Sequence, residues 1–248
     1  MVAALKPSKV KLAFVLPWLL YLALELILAH KIFFPASGFT LLFLYLLGGG
    51  AEMLASRVGA FGPRSLLLLS AGGLAAADQL GKLAVGKFLP MGKEITLIPA
   101  SFSLRQTLNL SASWLPNKFE FALPLWFLFA LAVFLMFLVV AVYNYYTGVH
   151  QKTVYTDLAL VLLLAGALSA SADYVLRGVT VDYLAFQGLF VADLKDILLT
   201  LGLASVLAES MLTPAVDPGL KELPALFIRI IKYNLGKKQG ARARFRQD

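Results

Sequence analysis

Two aspartates carry the strongest chemical signal in the chain. Asp173 closes the run Gly166-Ala-Leu-Ser-Ala-Ser-Ala-Asp173 near the end of one apolar segment, and Asp196 follows Val191-Ala-Asp-Leu-Lys at the start of the next. The two segments are consecutive and, as antiparallel helices on a short connection, must bring these ends together. Two carboxylates at one depth can share a proton. One is then ionised and acts as base toward a water, while the other is protonated and polarises a carbonyl. Such hydrolysis needs neither metal nor histidine. The same residues also fit plainer roles. Asp193-x-x-Asp196 has the spacing of a helix N-cap with a carboxylate in the first turn. Asp173 and Arg177 have that of an ordinary helix pair.

A second constellation is Asp78-Gln-Leu-Gly-Lys82. The i, i+4 spacing stacks the two charges on one helix face, where pairing lowers the cost of burying either. That pair can fix helix packing or serve a reaction directly. Glu25 and Glu52 fall inside apolar segments and read as polar groups at packing interfaces, protonated or hydrogen-bonded. Ionisable groups at membrane depth are costly and hence functional candidates. The chain has no cysteine, which excludes disulfides, thiolate chemistry and Cys-ligated metals. His30 and His150 belong to different segments, so neither a histidine metal site nor a Ser–His triad is expected. No metal and no cofactor is anticipated.

The elements that position these groups are membrane spans. Apolar residues make up 60% of the 248 and charged ones 15%, with a mean hydropathy of +0.80. Soluble domains run nearer half apolar and about a quarter charged. Six segments, roughly 12–35, 39–59, 64–88, 123–144, 154–176 and 194–214, approach the ~20 apolar residues that a span needs. The expected fold is an all-α polytopic membrane protein of about six transmembrane helices. The first segment starts with Lys6, Lys9 and Lys11, but its apolar run is too long for a signal peptide and no small-x-small cleavage site follows. It is expected to persist as a helix.

The loops differ in kind. Pro35–Gly38, Gly62–Arg64 and Tyr145–Thr153 read as short connections. Residues 89–122 form a long one, in which Phe102, Leu104, Leu108 and Leu110 alternate with Ser103, Arg105, Thr107, Asn109 and Ser111. A period of two is that of a half-buried strand. With Glu94–Ile98 as a second strand, it predicts a small extracytoplasmic β-sheet. In the tail, Leu220, Leu223, Phe227, Ile230, Ile231 and Leu235 fall on one helical face among Lys221, Arg229 and Lys232. That pattern predicts a basic amphipathic helix on the anionic inner leaflet, with residues 236–248 as a disordered basic end.

The net charge of +8 does not indicate nucleic acid, because it is sorted by side. Lys6, Lys9, Lys11, Arg57, Arg64, Lys152 and the eight basic residues after 216 would share one face of the membrane. Lys31, Lys87, Lys93, Arg105, Lys118, Arg177 and Lys195 would share the other, with Lys82 inside a span. The positive-inside rule then puts both termini in the cytoplasm. No internal repeat is visible, which counts against an inverted-repeat transporter.

Four blocks in order resemble the prolipoprotein signal peptidase family, also called lipoprotein signal peptidase or signal peptidase II, over about residues 66–214. Asp78-Gln-x-x-Lys82 is similar to the family's first-helix motif. Glu94-Ile-Thr-Leu-Ile-Pro99 with Asn109-x-Ser111-Ala is similar to its extracytoplasmic strand and Asn-x-Gly segment. Gly166-Ala-Leu-x-x-x-x-Asp173 with Gly178-Val-Thr-Val-Asp-Tyr183, and Asp193-Leu-Lys-Asp-Ile197 with Gly202, are similar to its last two blocks.

The resemblance implies an intramembrane aspartyl endopeptidase that removes signal peptides from bacterial prolipoproteins just before a lipid-modified cysteine. It makes Asp173 and Asp196 the catalytic pair, and Asp78, Lys82, Asn109 and Asp182 substrate-binding or site-shaping. Ala170, Tyr174, Asp193 and Ser111 depart from the family's asparagine, arginine, asparagine and glycine. Ser169 and Arg177, one turn from Asp173, are placed to compensate in part.

Three regions follow: two extra N-terminal spans over 1–63, a four-helix peptidase-like domain over 64–214, and a basic tail over 215–248. The expected partners are the lipidated substrate, membrane lipids and a possible membrane protein on the extra helices. The expected location is the bacterial inner membrane. Two rival readings are a catalytically impaired relative that binds lipidated peptides or scaffolds a complex, and a small proton-coupled transporter. The transporter would need carboxylates near the bilayer midplane, whereas here they cluster at one edge.

Overall fold

The computed structural model describes residues 6–29, 34–109, 123–213 and 222–236. They form seven helices, α1 (Lys9–Ala29), α2 (Phe34–Arg57), α3 (Arg64–Phe88), α4 (Leu125–Val149), α5 (Val154–Leu176), α6 (Leu194–Leu212) and α7 (Leu223–Asn234). Four strands, β1 (Glu94–Ile98), β2 (Phe102–Asn109), β3 (Thr180–Phe186) and β4 (Phe190–Ala192), make one antiparallel sheet in chain order.

The first four spans that composition selects are α1, α2, α4 and α5. Helices α3 and α6, at 25 and 19 residues, are also of spanning length but carry charges. Asp78 and Lys82 of α3 and Lys195 of α6 are turned inward and buried, so the charged faces of these two helices meet the polar site and not lipid. The outward faces are apolar. Leu69, Trp126 and Phe137 are more than 70% exposed. A surface of this kind suits hydrocarbon and not water. The chain is a polytopic membrane protein.

Two of the three packed cores among the described residues tie the helices together. Leu67 and Ala71 of α3, Tyr143 of α4, Leu160 and Leu164 of α5 and Leu198 of α6 form one. Val10 and Phe14 of α1, Ala51 of α2, Tyr155 of α5 and Ala204 and Ala208 of α6 form the other, which ties the N-terminal pair to α5 and α6. Helices α5 and α6 approach most closely, and two glycines permit it. A Cβ on Gly166 would come within 2.6 Å of Leu199, and one on Gly202 within 2.7 Å of Leu163. Reciprocal small residues let backbones close up, and this contact sets the separation of the helix ends that bear Asp173 and Asp196.

The start of α2 differs from expectation. Pro35–Gly38 is not a turn but the first part of the helix, which begins at Phe34. Proline is tolerated in a first turn because its missing N–H would be unsatisfied there anyway.

The sheet also corrects the sequence reading. The connection from α5 to α6 is not bare loop: it supplies β3 and β4, half of the strands. The alternation in β2 is broken by a bulge, since Leu104 pairs with Leu184 and Thr107 with Asp182. One extra residue on β2 flips parity. Thr107 and Asn109 therefore join the face of Phe102 and Leu104, while Ser103, on the other face, is fully buried and Leu108 is exposed. That switch turns Asn109 toward Asp182. Leu110 and Ser111 lie outside the described residues, as do residues 237–248 of the tail.

At the end of the bundle away from the sheet, α7 docks on the last turns of α4. Asn234 Nδ2 donates to Ala141 O at 3.0 Å, Asn144 Nδ2 donates to Asn234 Oδ1 at 3.1 Å, and the Tyr145 and Tyr233 rings meet edge to face at 5.7 Å. Ile230 is buried there, whereas Phe227, Ile228 and Ile231 remain exposed.

Candidate active site

The site lies where the end of α3, the end of α5, the start of α6 and the sheet converge. At its centre is Lys82. Its ammonium stands 2.7 Å from Asp78, 2.6 Å from Asp173 and 2.7 Å from Asp193. All four side chains are inaccessible to solvent. The i, i+4 pair foreseen within α3 is thus one arm of a three-way contact, in which one cation touches three carboxylates. A point charge with three rotatable donors suits that geometry.

Around this centre a polar network fixes each group. Gln79 Nε2 donates to Ser169 Oγ at 2.8 Å and to Asp173 Oδ1 at 3.0 Å. Ser169 Oγ donates to Asp78, and Arg177 donates to Gln79 Oε1 and, at 3.2 Å, to Asp173 Oδ1. Asp78 Oδ1 accepts the backbone N–H of Lys195 at 3.2 Å, which links α3 to the first turn of α6. Both oxygens of Asp173 are therefore occupied, by Lys82 on one side and by Gln79 and Arg177 on the other.

The start of α6 has the capping geometry that its spacing suggests. Asp193 Oδ1 accepts Asp196 N at 3.0 Å, and Asp193 N donates back to Asp196 Oδ2 at 3.4 Å. Capping does not exhaust these residues. Asp193 Oδ2 also meets Lys195 Nζ at 2.5 Å, and Lys195 Nζ lies 3.9 Å from Asp173 and 3.6 Å from Asp196. Asp196 differs from its neighbours in access: its side chain is 45% exposed, and it lines two cavities.

Asp182, on β3, completes the group. Its Oδ2 accepts Asn109 Nδ2 at 2.8 Å, while its Oδ1 is buried with no hydrogen-bond partner. Burial, reinforced by the charges of Asp193 and Asp196, pushes its pKa up to about 7 against the opposing effect of Lys195. Asp182, Asp193 and Asp196 each bring an oxygen within 4.8 Å of the other two, and so do Asp78, Asp173 and Asp193. Carboxylate triplets of this size can hold a metal ion, but in the second triplet the Lys82 ammonium already fills that role.

The signal peptidase II family model matches residues 70–212, more than half of the chain. The chain belongs to the signal peptidase II family. It is accordingly a membrane aspartic endopeptidase by family. Two solved structures, each described as a bacterial membrane enzyme determined by the in meso method, share the fold. One has a TM-score of 0.54 at 18% identity, covering 65% of this chain and 96% of that one. The other has a TM-score of 0.51 at 19% identity, covering 64% and 97%. No curated protein matches the chain. Helices α1 and α2 precede the family match.

For a signal peptidase II, the site gathers most of the residues singled out in the sequence. Asp78, Lys82, Ser169, Asp173, Arg177 and Asp193 form one connected network, and Asn109, Asp182 and Asp196 adjoin it. Three members were missed. Gln79 sits inside the Asp78–Lys82 block with no charge to draw notice. Lys195 counts by charge alone among the loop cations, although it lies between Asp193 and Asp196. Tyr183 packs so closely on α3 that a Cβ at Gly81 would come within 2.9 Å of its hydroxyl.

Proposed function

We propose that this signal peptidase II cleaves lipidated prolipoproteins with Asp182 and Asp196 as the reacting carboxylates. The observation that carries the assignment is the free, buried Oδ1 of Asp182 within the triplet that includes Asp196. A general acid must hold a proton near neutral pH, and the raised pKa of Asp182 gives it one. Asp196 is suited to be the base. It is accessible, it lies in the first turn of α6 where the helix dipole favours a carboxylate, and Lys195 is 3.6 Å away. Asp173, the partner expected from the sequence, has both oxygens engaged and fits an anchor for Lys82, Gln79 and Arg177.

Asp196 takes a proton from water, whose oxygen attacks the scissile carbonyl. Asp182 gives its proton to the carbonyl oxygen, so the tetrahedral intermediate carries two hydroxyls rather than an oxyanion. Collapse returns a proton from that intermediate to Asp182, while Asp196 passes its own to the leaving nitrogen. Both carboxyls end as they began. The direct test incubates purified protein with a diacylglyceryl-modified prolipoprotein and reads the mass of the products. Release of a signal peptide ending just before the modified cysteine is expected; absence of that product would leave the impaired, peptide-binding relative as the better reading.

The same proposal fixes orientation. With both termini in the cytoplasm, the sheet and the site face the outer leaflet, where lipidated substrates reside. A reporter that is active only in the cytoplasm, fused after Asp248, should be active. A silent but well-expressed fusion reverses the topology.

Helix α7 is proposed to lie against the inner leaflet. Exposed Phe227, Ile228 and Ile231 alternate there with Arg229 and Lys232, as an interfacial helix requires. Replacing Phe227 and Ile231 by serine should expose the tail to protease in vesicles and leave cleavage activity in place. An unaltered protection pattern would count against the membrane contact.

A further inference from the structure

Two cavities meet at Asp196. One, of 730 Å³, runs between α4, α5 and α6, from Leu131 and Leu163 to Lys195. The other, of 310 Å³, lies against α6 on the side of the N-terminal helices. Trp18 of α1, Phe39 and Phe43 of α2, Phe102 and Phe190 of the sheet and Leu201 of α6 line it. Five of its fourteen lining residues therefore come from helices that precede the family match at residue 70.

We propose that α1 and α2 are part of the substrate site, and that the cavity they wall takes an acyl chain of the lipidated substrate. This rests on the proposed function. The lining chemistry selects such a chain. Its two hydroxyls are turned back on their own helices, Thr40 Oγ1 donating to Ala36 O at 2.9 Å and Thr200 Oγ1 to Asp196 O at 2.8 Å. A peptide segment placed there would leave backbone N–H and C=O groups unpaired at a cost of about 1–3 kcal/mol each. A hydrocarbon chain has none to pair. The volume is at the low end of ligand sites, about 300–1,000 Å³, which are mostly apolar.

The wall is preformed and has an opening to lipid. Trp18 packs on Phe186 and Phe190 at 5.6 and 5.7 Å, and those two rings stack at 5.0 Å. Phe39 and Phe43 stack on each other at 6.3 Å and are 39% and 47% exposed, so a chain enters from the bilayer without crossing water. The modified cysteine flanks the bond that is cut, so its acyl chain begins beside Asp196, where this cavity ends.

Two arms test the assignment with the full chain in lipid. In the first, a diacylglyceryl-cysteine lipopeptide with a diazirine at the end of one acyl chain is photolysed, and the labelled peptides are identified. Label on α1 or α2, reduced by unlabelled lipopeptide but not by excess phosphatidylglycerol, supports the proposal. Label elsewhere, or equal competition by phosphatidylglycerol, overturns it; the latter marks a membrane-lipid site. This arm needs no cleavage and so stands even if the proposed activity fails.

The second arm compares lipopeptides that differ only in carrying butyryl or palmitoyl chains. Thr40→Phe, which fills the cavity, should lower the palmitoyl-to-butyryl ratio of kcat/KM at least tenfold, the effect of about two buried methylenes. Phe43→Trp, at the half-exposed mouth, should act in the same direction without crowding the core. An unchanged ratio in both variants overturns the proposal.

Discussion

Asp196→Asn and Asp182→Asn should each lower kcat for a lipidated prolipoprotein by roughly 10³-fold, within the range that general acid–base groups contribute. The double variant should be little worse than either single one, because groups that act as one unit are strongly non-additive. Asparagine keeps the shape and some of the hydrogen bonding of each side chain, so folding should survive. Asp173→Asn separates the two possible partners of Asp196. If Asp173 anchors Lys82, its replacement should act chiefly on stability and leave residual turnover. If Asp173 is instead the reacting partner, it should be as inactive as Asp196→Asn, and Asp182→Asn should be the mild variant. That outcome would return the assignment to the pair expected from the sequence.

The pH profile provides a second reading of the same pair. Asp182 must be protonated to donate to the carbonyl oxygen. Its pKa in the free protein is raised to about 7 by burial and by the nearby carboxylates, so kcat/KM should fall as pH rises through about 7. The acid limb reports loss of the base, giving a bell whose two apparent values belong to the coupled pair. Stability falls with rising pH over the same range. A carboxyl whose folded pKa lies above its unfolded one binds more proton in the folded state, so its contribution is lost as pH rises from about 4 to about 7. A profile flat from pH 6 to 9 would remove Asp182 as the acid.

Much of the site was legible because charge in an apolar chain is rare and therefore informative. Asp78, Lys82, Asp173 and Asp196 stand out from 60% apolar surroundings, and antiparallel helices on a short connection must bring the last two near each other. What could not be read was which oxygens remain free. Asp173 and Asp182 look alike in sequence. Only the contacts of Lys82, Gln79 and Arg177 distinguish an occupied carboxylate from one with an open Oδ1. The sheet was half legible for a related reason. The run Phe102–Asn109 has period two, but one bulge residue changes which face each later side chain takes. The segment Thr180–Phe186 has mostly buried residues on both faces and so shows no alternation to detect.

Lys82→Met should have the largest effect on stability of any single change in the site. The methionine has similar length and no charge, so it leaves Asp78, Asp173 and Asp193 buried around a missing cation. Breaking a buried ion pair by removing one partner costs about 3–5 kcal/mol, because the charge left behind is uncompensated. Three carboxylates share this one ammonium; without it Asp193 keeps Lys195 at 2.5 Å and Asp173 keeps Arg177 at 3.2 Å, so Asp78 bears most of the loss. The midpoint of denaturation by sodium dodecyl sulfate in mixed micelles, read on both proteins at the same pH, measures the loss. Pairing Lys82→Met with Asp78→Asn should recover part of it, since one buried charge is then gone. By contrast, Asp193→Asn should be milder than Lys82→Met. It keeps an acceptor for Asp196 N, where full loss of a cap to alanine costs about 0.5–2 kcal/mol, and it moves the residue toward the family's asparagine. If Lys82→Met denatures with the wild-type midpoint at neutral pH, the three carboxylates are not held as anions by Lys82, and Asp173 loses its role as an anchor.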